Sequence, residues 1–179
     1  MAVPERVRWA VERLNPGPDE QLLEIGCGPG AAVALICERL VGGRIVAIDR
    51  SATAISRATR RNAEHVAAGK AVLLAMALED LRPADVLGGA ERFDKVFAMN
   101  VNLFWVRSPT RELDLLKRLL GRDGALDLFY GYGDRPQPGK DVENAARVPQ
   151  ALTGHLTHSG FTVEVQQGPG VVCVAATPR

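Results

Sequence analysis

Short apolar runs alternate with amphipathic stretches along almost the whole chain. Pro4 to Leu14 carries Val7, Val11 and Leu14 at helical spacing, and Asn15-Pro-Gly-Pro stops it. Gln21 to Ile25 is a compact apolar run that ends at a glycine cluster, which predicts a strand. Helical spacing returns from Ala31 to Leu40 and closes at Gly42-Gly43; Arg44 to Ile48 then predicts a second strand with Asp49 at its carboxyl end. Ser51 is placed to cap a helix running to about Val66. Strands are predicted at Ala71 to Ala75 and Phe93 to Ala98, a leucine-striped helix at Thr110 to Leu120, and a fifth strand at Ala125 to Tyr130. Pro149 near a first turn and Gly160 past the end predict a helix over Pro149 to Thr157.

Two more strands, Phe161 to Val165 and Val171 to Ala175, close the chain. The linker Gln166-Gln-Gly-Pro-Gly is too short for a crossover helix, so this pair is predicted to be antiparallel. The remaining strands alternate with helices, which predicts a parallel sheet covered on both faces, an α/β sandwich. Gly131 to Arg147, rich in glycine, proline and charge, reads as one long polar loop and as a candidate lid.

Composition narrows the function classes. The 179 residues are 46% hydrophobic and 24% charged, which suits one globular domain and gives no sign of a fibrous or disordered chain. Lys and Arg number 22 against 21 Asp and Glu, a net charge of +1, so charge alone does not point to nucleic acid or an anionic membrane as partner. No apolar run approaches the ~20 residues of a membrane span. Cys27, Cys37 and Cys173 lack disulfide or metal spacing, and together with the charged N-terminus they lead us to expect a cytoplasmic protein with free thiols.

The densest chemical signal is Glu24-Ile-Gly-Cys-Gly-Pro-Gly30, between a strand and a helix. Glycines there permit a tight turn and close ligand approach, and the helix start offers free N–H groups. Asp49 follows Gly28 by 21 residues, where a carboxylate can accept from ribose hydroxyls. A bound nucleoside is the expectation, and Gly26-Cys-Gly-Pro-Gly-Ala31 also satisfies a dinucleotide fingerprint, so a nicotinamide oxidoreductase stays open at this point.

The stretch Glu24 to Gly30 more closely resembles the first motif of the class I S-adenosylmethionine-dependent methyltransferases. Val46-Ala-Ile-Asp-Arg-Ser51 resembles that family's second-strand end, where the acidic residue binds ribose. Ala75-Met-Ala-Leu-Glu-Asp-Leu81 stands where the family has G-D-A-x-x-L, with Ala75 for the glycine and Met76 for the acidic residue. Phe93-Asp94 and Leu119-Leu-Gly-Arg-Asp-Gly-Ala125 are further matches, so the resemblance runs over about residues 5–176. It implies a Rossmann-like three-layer sandwich with a seven-stranded sheet in the order 3-2-1-4-5-7-6, strand 7 antiparallel. It also implies S-adenosylmethionine as cofactor and S-adenosylhomocysteine as product. The implied cofactor residues are Glu24, Gly26, Cys27, Gly28, Gly30, Asp49, Arg50, Met76, Ala77, Leu78 and Asn100.

Residues 1–179 are therefore expected to form one methyltransferase domain without an inserted substrate domain, acting on a small-molecule acceptor shaped by the first helix, Asn100–Ser108 and the loop after Tyr130. Asn100 and Tyr130 are the candidate catalytic residues, Asn100 to hold the methionine end or the acceptor and Tyr130 to line the pocket. No His or Lys is placed as a general base, so proximity and orientation are expected to carry the reaction. Cys27 reads as a small filler, Glu79-Asp80 as a helix start, and His65, His155 and His158 as non-ligating. A methyltransferase-like protein that binds cofactor without turnover is the other class left open.

Overall fold

The computed structural model describes residues 3–82, 84, 92–106, 108–131 and 141–179. Its strands β1 (Gln21–Ile25), β2 (Arg44–Asp49), β3 (Ala71–Ala75), β4 (Phe93–Met99), β5 (Leu120–Tyr130), β6 (Phe161–Gly168) and β7 (Val171–Pro178) form one sheet. The order is β3-β2-β1-β4-β5-β7-β6, as the resemblance implied. β1 to β5 run parallel, and β7 is antiparallel to both β5 and β6. The central strands are buried on both sides; β1 buries four consecutive residues, Glu24 among them, as a strand sandwiched between helices must.

Helices α1 (Glu5–Leu14), α2 (Ala31–Cys37), α3 (Ala52–Arg61) and α4 (Ala63–Ala67) belong to one face of the sheet. There Val7, Val11, Ile36 and Ala58 pack with Leu22, Ala47, Phe97 and Phe129. Helices α5 (Thr110–Leu119) and α6 (Asp141–His158) cover the other face, where Leu113, Leu116, Leu152 and Leu156 pack with Leu23, Val96 and Leu128. The longer helices each turn one apolar stripe to the sheet, whereas α4 buries no residue fully.

Three expectations are corrected. The helix from Ser51 to Val66 is broken at Asn62, where the backbone leaves the helical region (φ −110°, ψ 24°) and the side-chain amide reaches across to the Gly30 carbonyl. The last helix begins at Asp141 rather than Pro149, so the polar loop does not reach Arg147. Pro149 lies inside α6, where the buried stripe Val148, Leu152 and Leu156 holds the helix despite the missing N–H. The middle of the candidate lid, residues 132–140, lies outside the described residues. Lastly, β5 starts at Leu120, and its pairing with β4 shifts register between Phe93 and Lys95 to accommodate the Gly121–Gly124 stretch.

Candidate functional site

The parallel strands β1, β2, β3 and β4 all end on one edge of the sheet, where open α/β folds bind their ligands. At the end of β1 the chain turns at Gly26, φ +72°. The Gly26 and Cys27 N–H groups both donate to the Ile48 carbonyl, at 2.8 and 3.1 Å, which stitches the glycine loop to the end of β2. The Asp49 carboxylate holds the next part of the loop: Oδ2 accepts from the Gly28 N–H and Oδ1 from the Ser51 N–H, each at 2.9 Å. Gly30, φ +70°, then caps α2.

The three glycines do different work. A Cβ on Gly26 would stand 2.6 Å from Val101 Cγ2, and one on Gly30 would stand 2.7 Å from Asn62 Nδ2. A Cβ on Gly28, φ +51°, would meet nothing within 4 Å. The outer glycines are therefore demanded by the fold, whereas the middle one leaves bare backbone facing open space.

Behind this loop lies a carboxyl without a partner. Glu24 is 4% exposed, and its Oε2 is fully buried and accepts no hydrogen bond. Burial, and then the negative charge of Asp49, push its pKa up to about 8. Burial followed by Glu24 and Asp49 also raises the Cys27 thiol, which makes it a neutral, unreactive group.

In front of the loop is a cavity of about 640 Å³. One wall is Asp49 and Arg50; a second is Met76, Leu78 and Glu79; a third is the segment from Met99 to Leu103 with Val106. This third wall is pinned to the end of β5. The Asn100 side chain, on a backbone at φ +55°, donates to the Gly131 carbonyl at 2.8 Å and accepts from the Gly131 N–H at 2.9 Å. The Tyr130 hydroxyl donates to the Val101 carbonyl, and the Trp105 ring meets the Tyr130 ring edge-on at 6.4 Å.

Of the residues singled out in the sequence, Gly26, Asp49, Arg50, Met76, Leu78 and Asn100 meet around the cavity. Glu24, Cys27, Gly28 and Gly30 form the strand end and loop beside it, and Ala77 is not among its wall residues. Tyr130 stands behind Val101 and not on the wall. The wall also contains Glu79, which the sequence placed at a helix start; it sits in a single 3-10 turn, Leu78–Asp80. Ile25, Ile48 and Met99 were missed too, although each stands at or next to a strand's last residue, the one signal that could have found them. Among the described residues no group of three His, Cys, Asp or Glu side chains is placed to hold a metal ion.

A doubly wound sheet of this order, with a glycine loop and a ribose-distance carboxylate at its switch point, defines a nucleoside-cofactor fold of the methyltransferase type. The family comparison agrees: residues 22–124 match the methyltransferase domain family, and the chain belongs to it. No curated protein matches the chain. Among solved structures, a SAM-dependent methyltransferase from Aquifex aeolicus is similar at TM-score 0.74 and 15% identity, over 95% of this chain and 88% of that one. The precorrin-6y C5,15-methyltransferase of Geobacter metallireducens gives TM-score 0.67 and 17% identity, over 97% of this chain and 87% of that one. The ribosomal protein L11 methylase of Lactobacillus delbrueckii subsp. bulgaricus gives 0.63 and 16%, over 97% and 77%. At these identities the likeness is one of fold.

The cofactor of this class is S-adenosylmethionine, and the residues present fit it. Gly28 offers bare backbone beside open space, and Asp49 faces the cavity from the end of β2 with its carboxylate oriented by the Gly28 and Ser51 N–H groups.

Proposed function

We propose that residues 1–179 form a single methyltransferase domain that transfers a methyl group to a small, largely uncharged acceptor seated against the wall from Asn100 to Val106. The observation that carries this reading is the cavity itself: about 640 Å³, beside the glycine loop, with an acceptor-side wall of Asn100, Val101, Asn102, Leu103 and Val106 that bears no charge. That volume falls within the range of small-molecule sites.

When bound, S-adenosylmethionine would supply an electrophilic methyl on a sulfonium, whose carbon–sulfur bond pair would stay on sulfur when an acceptor lone pair takes the methyl. The chain's own residues hold and orient. Asp49 accepts from ribose while its oxygens keep Gly28 and Ser51 in place. Met76 and Leu78 offer apolar surface to the adenine. Asn100 and Tyr130 act by positioning, because the amide of Asn100 is joined to Gly131 and the hydroxyl of Tyr130 to Val101. The ionisable groups on the described walls are Asp49, Arg50 and Glu79, all on the cofactor side. The acceptor's proton therefore leaves to solvent, and alignment with exclusion of water supplies the acceleration.

The test is S-adenosylhomocysteine release across a panel of neutral oxygen, nitrogen, sulfur and carbon nucleophiles, followed by pH–rate profiles of wild type, Asn100→Ala and Tyr130→Phe with the active acceptor. We expect both variants to turn over more slowly with the ionisation of the free acceptor unchanged. An ionisation absent from the free acceptor, and lost in a variant, would overturn catalysis by positioning. Cofactor binding with no release against any nucleophile would mark a binding protein instead.

A further inference from the structure

Outside the cavity and its loop, one amide is buried in a way the stability of the fold does not explain. Asn62, 1% exposed, sits at the joint between α3 and α4. Its Nδ2 donates to the Ala58 carbonyl at 2.9 Å and, across to the neighbouring element, to the Gly30 carbonyl at 3.0 Å. Its Oδ1 is fully buried and accepts nothing.

Neither carbonyl depends on this amide. The Ala58 carbonyl already accepts from the Asn62 backbone N–H at 3.0 Å. Gly30 is the N-cap residue of α2, whose carbonyl takes the first intrahelical bond. An unpaired buried acceptor costs at least what a neutral hydrogen bond returns. The amide thus contributes little net stability, and its effect is geometric. Gly30 ends the glycine loop in a left-handed conformation, and α3 begins just past Asp49. The loop is held in front by Gly28 on Asp49 and behind by Gly30 on Asn62, so both anchors tie it to β2 and the helix that follows.

We propose that Asn62 is a positioning residue of the cofactor site, bracing the Gly30 carbonyl so that the glycine loop is already in its binding conformation in the free protein. This rests on the assignment of the loop to cofactor binding. Preorganisation of this kind raises affinity by lowering the ordering cost of binding.

The experiment uses Asn62→Leu, of similar volume but without the donors or the unpaired acceptor, with Asn62→Ala as a second variant should leucine not fit. Three quantities are read: the thermal midpoint without ligand, S-adenosylhomocysteine affinity by calorimetry well below that midpoint, and amide exchange at Gly28 and Gly30. At least one variant should keep the wild-type midpoint within a few degrees, bind S-adenosylhomocysteine ~10-fold or more weakly, and exchange those two amides ~10-fold or more faster. Wild-type affinity and exchange in a folded variant would overturn the proposal. So would a midpoint that collapses in both variants, because Asn62 would then be part of the fold's stability. If wild type itself binds no S-adenosylhomocysteine, the cofactor assignment fails, while loop exchange still decides whether the brace exists.

Discussion

Replacing Glu24 by glutamine removes a buried ionisable group while keeping its shape. The carboxyl is 4% exposed, makes no hydrogen bond through Oε2 and has Asp49 nearby, so burial first and repulsion second favour its protonated form. Its pKa rises from an ordinary 4.5 to about 8. At ~1.4 kcal/mol per pH unit, the difference of roughly 3.5 corresponds to about 5 kcal/mol. The folded state holds the proton more tightly than the unfolded chain, so this stability is fully present below the unfolded value and is lost as pH rises through the folded one. Between about pH 5 and about pH 8.5 the wild type should lose on the order of 4 kcal/mol from this group. Glu24→Gln has nothing to ionise there and should lack that slope. Urea unfolding of both proteins across the window measures the difference, and the contribution of Asp127, also raised by burial, cancels between them. Parallel pH dependences would refute a buried, unpaired Glu24. The two curves should meet near the acid end and diverge steadily above it.

Two further substitutions separate the parts of the cradle. Asp49→Ala removes the acceptor of both the Gly28 and Ser51 N–H groups as well as the proposed ribose contact. With charged hydrogen bonds worth roughly 1.5–3 kcal/mol, S-adenosylhomocysteine affinity should fall ten-fold or more in a folded protein, and unchanged calorimetric affinity would place the ribose elsewhere. Gly28→Ala should fold, at a cost of about 1–2 kcal/mol for its left-handed backbone, yet lose cofactor affinity, because the added methyl occupies the ligand's approach. Gly26→Ala should lower the thermal midpoint further, since its Cβ would overlap Val101; equal midpoints for the two variants would contradict this division.

The legible parts of the chain were those that local chemistry decides. β1 and β3 appear with the expected limits because turn residues bound short apolar runs, and Asp49 was found because spacing along a βαβ unit translates directly into space. Where tertiary contact overrides a local signal, the reading failed. Helical spacing continues through Asn62, and only the neighbouring Gly30 carbonyl gives that side chain a reason to interrupt it. Pro149 looks like a helix start, yet the sheet beneath α6 retains a helix on both sides of it. Glu79 and the strand-end side chains reach the cavity through folding alone, and the engagement of Asn100 with Gly131 depends on two strands ending side by side.

On the proposed function, the two halves of the reaction meet at the close approach of Gly26 and Val101. In the proposed reading Gly26 belongs to the cofactor loop and Val101 to the acceptor wall; at 2.6 Å from a would-be Cβ, no other residue type lets the two come so close. Val101 is held in turn by Tyr130, and Asn100 beside it by Gly131, so the acceptor wall is referred back to β5 while the loop is referred back to β2. Both strands belong to one sheet of parallel ladders with a close-packed core on either face. The separation of loop and wall is therefore set by the sheet and not by either segment alone. Where positioning supplies the acceleration, that rigidity takes the place of a general base: a shift of an ångström between loop and wall costs rate even though every group that touches the ligands remains.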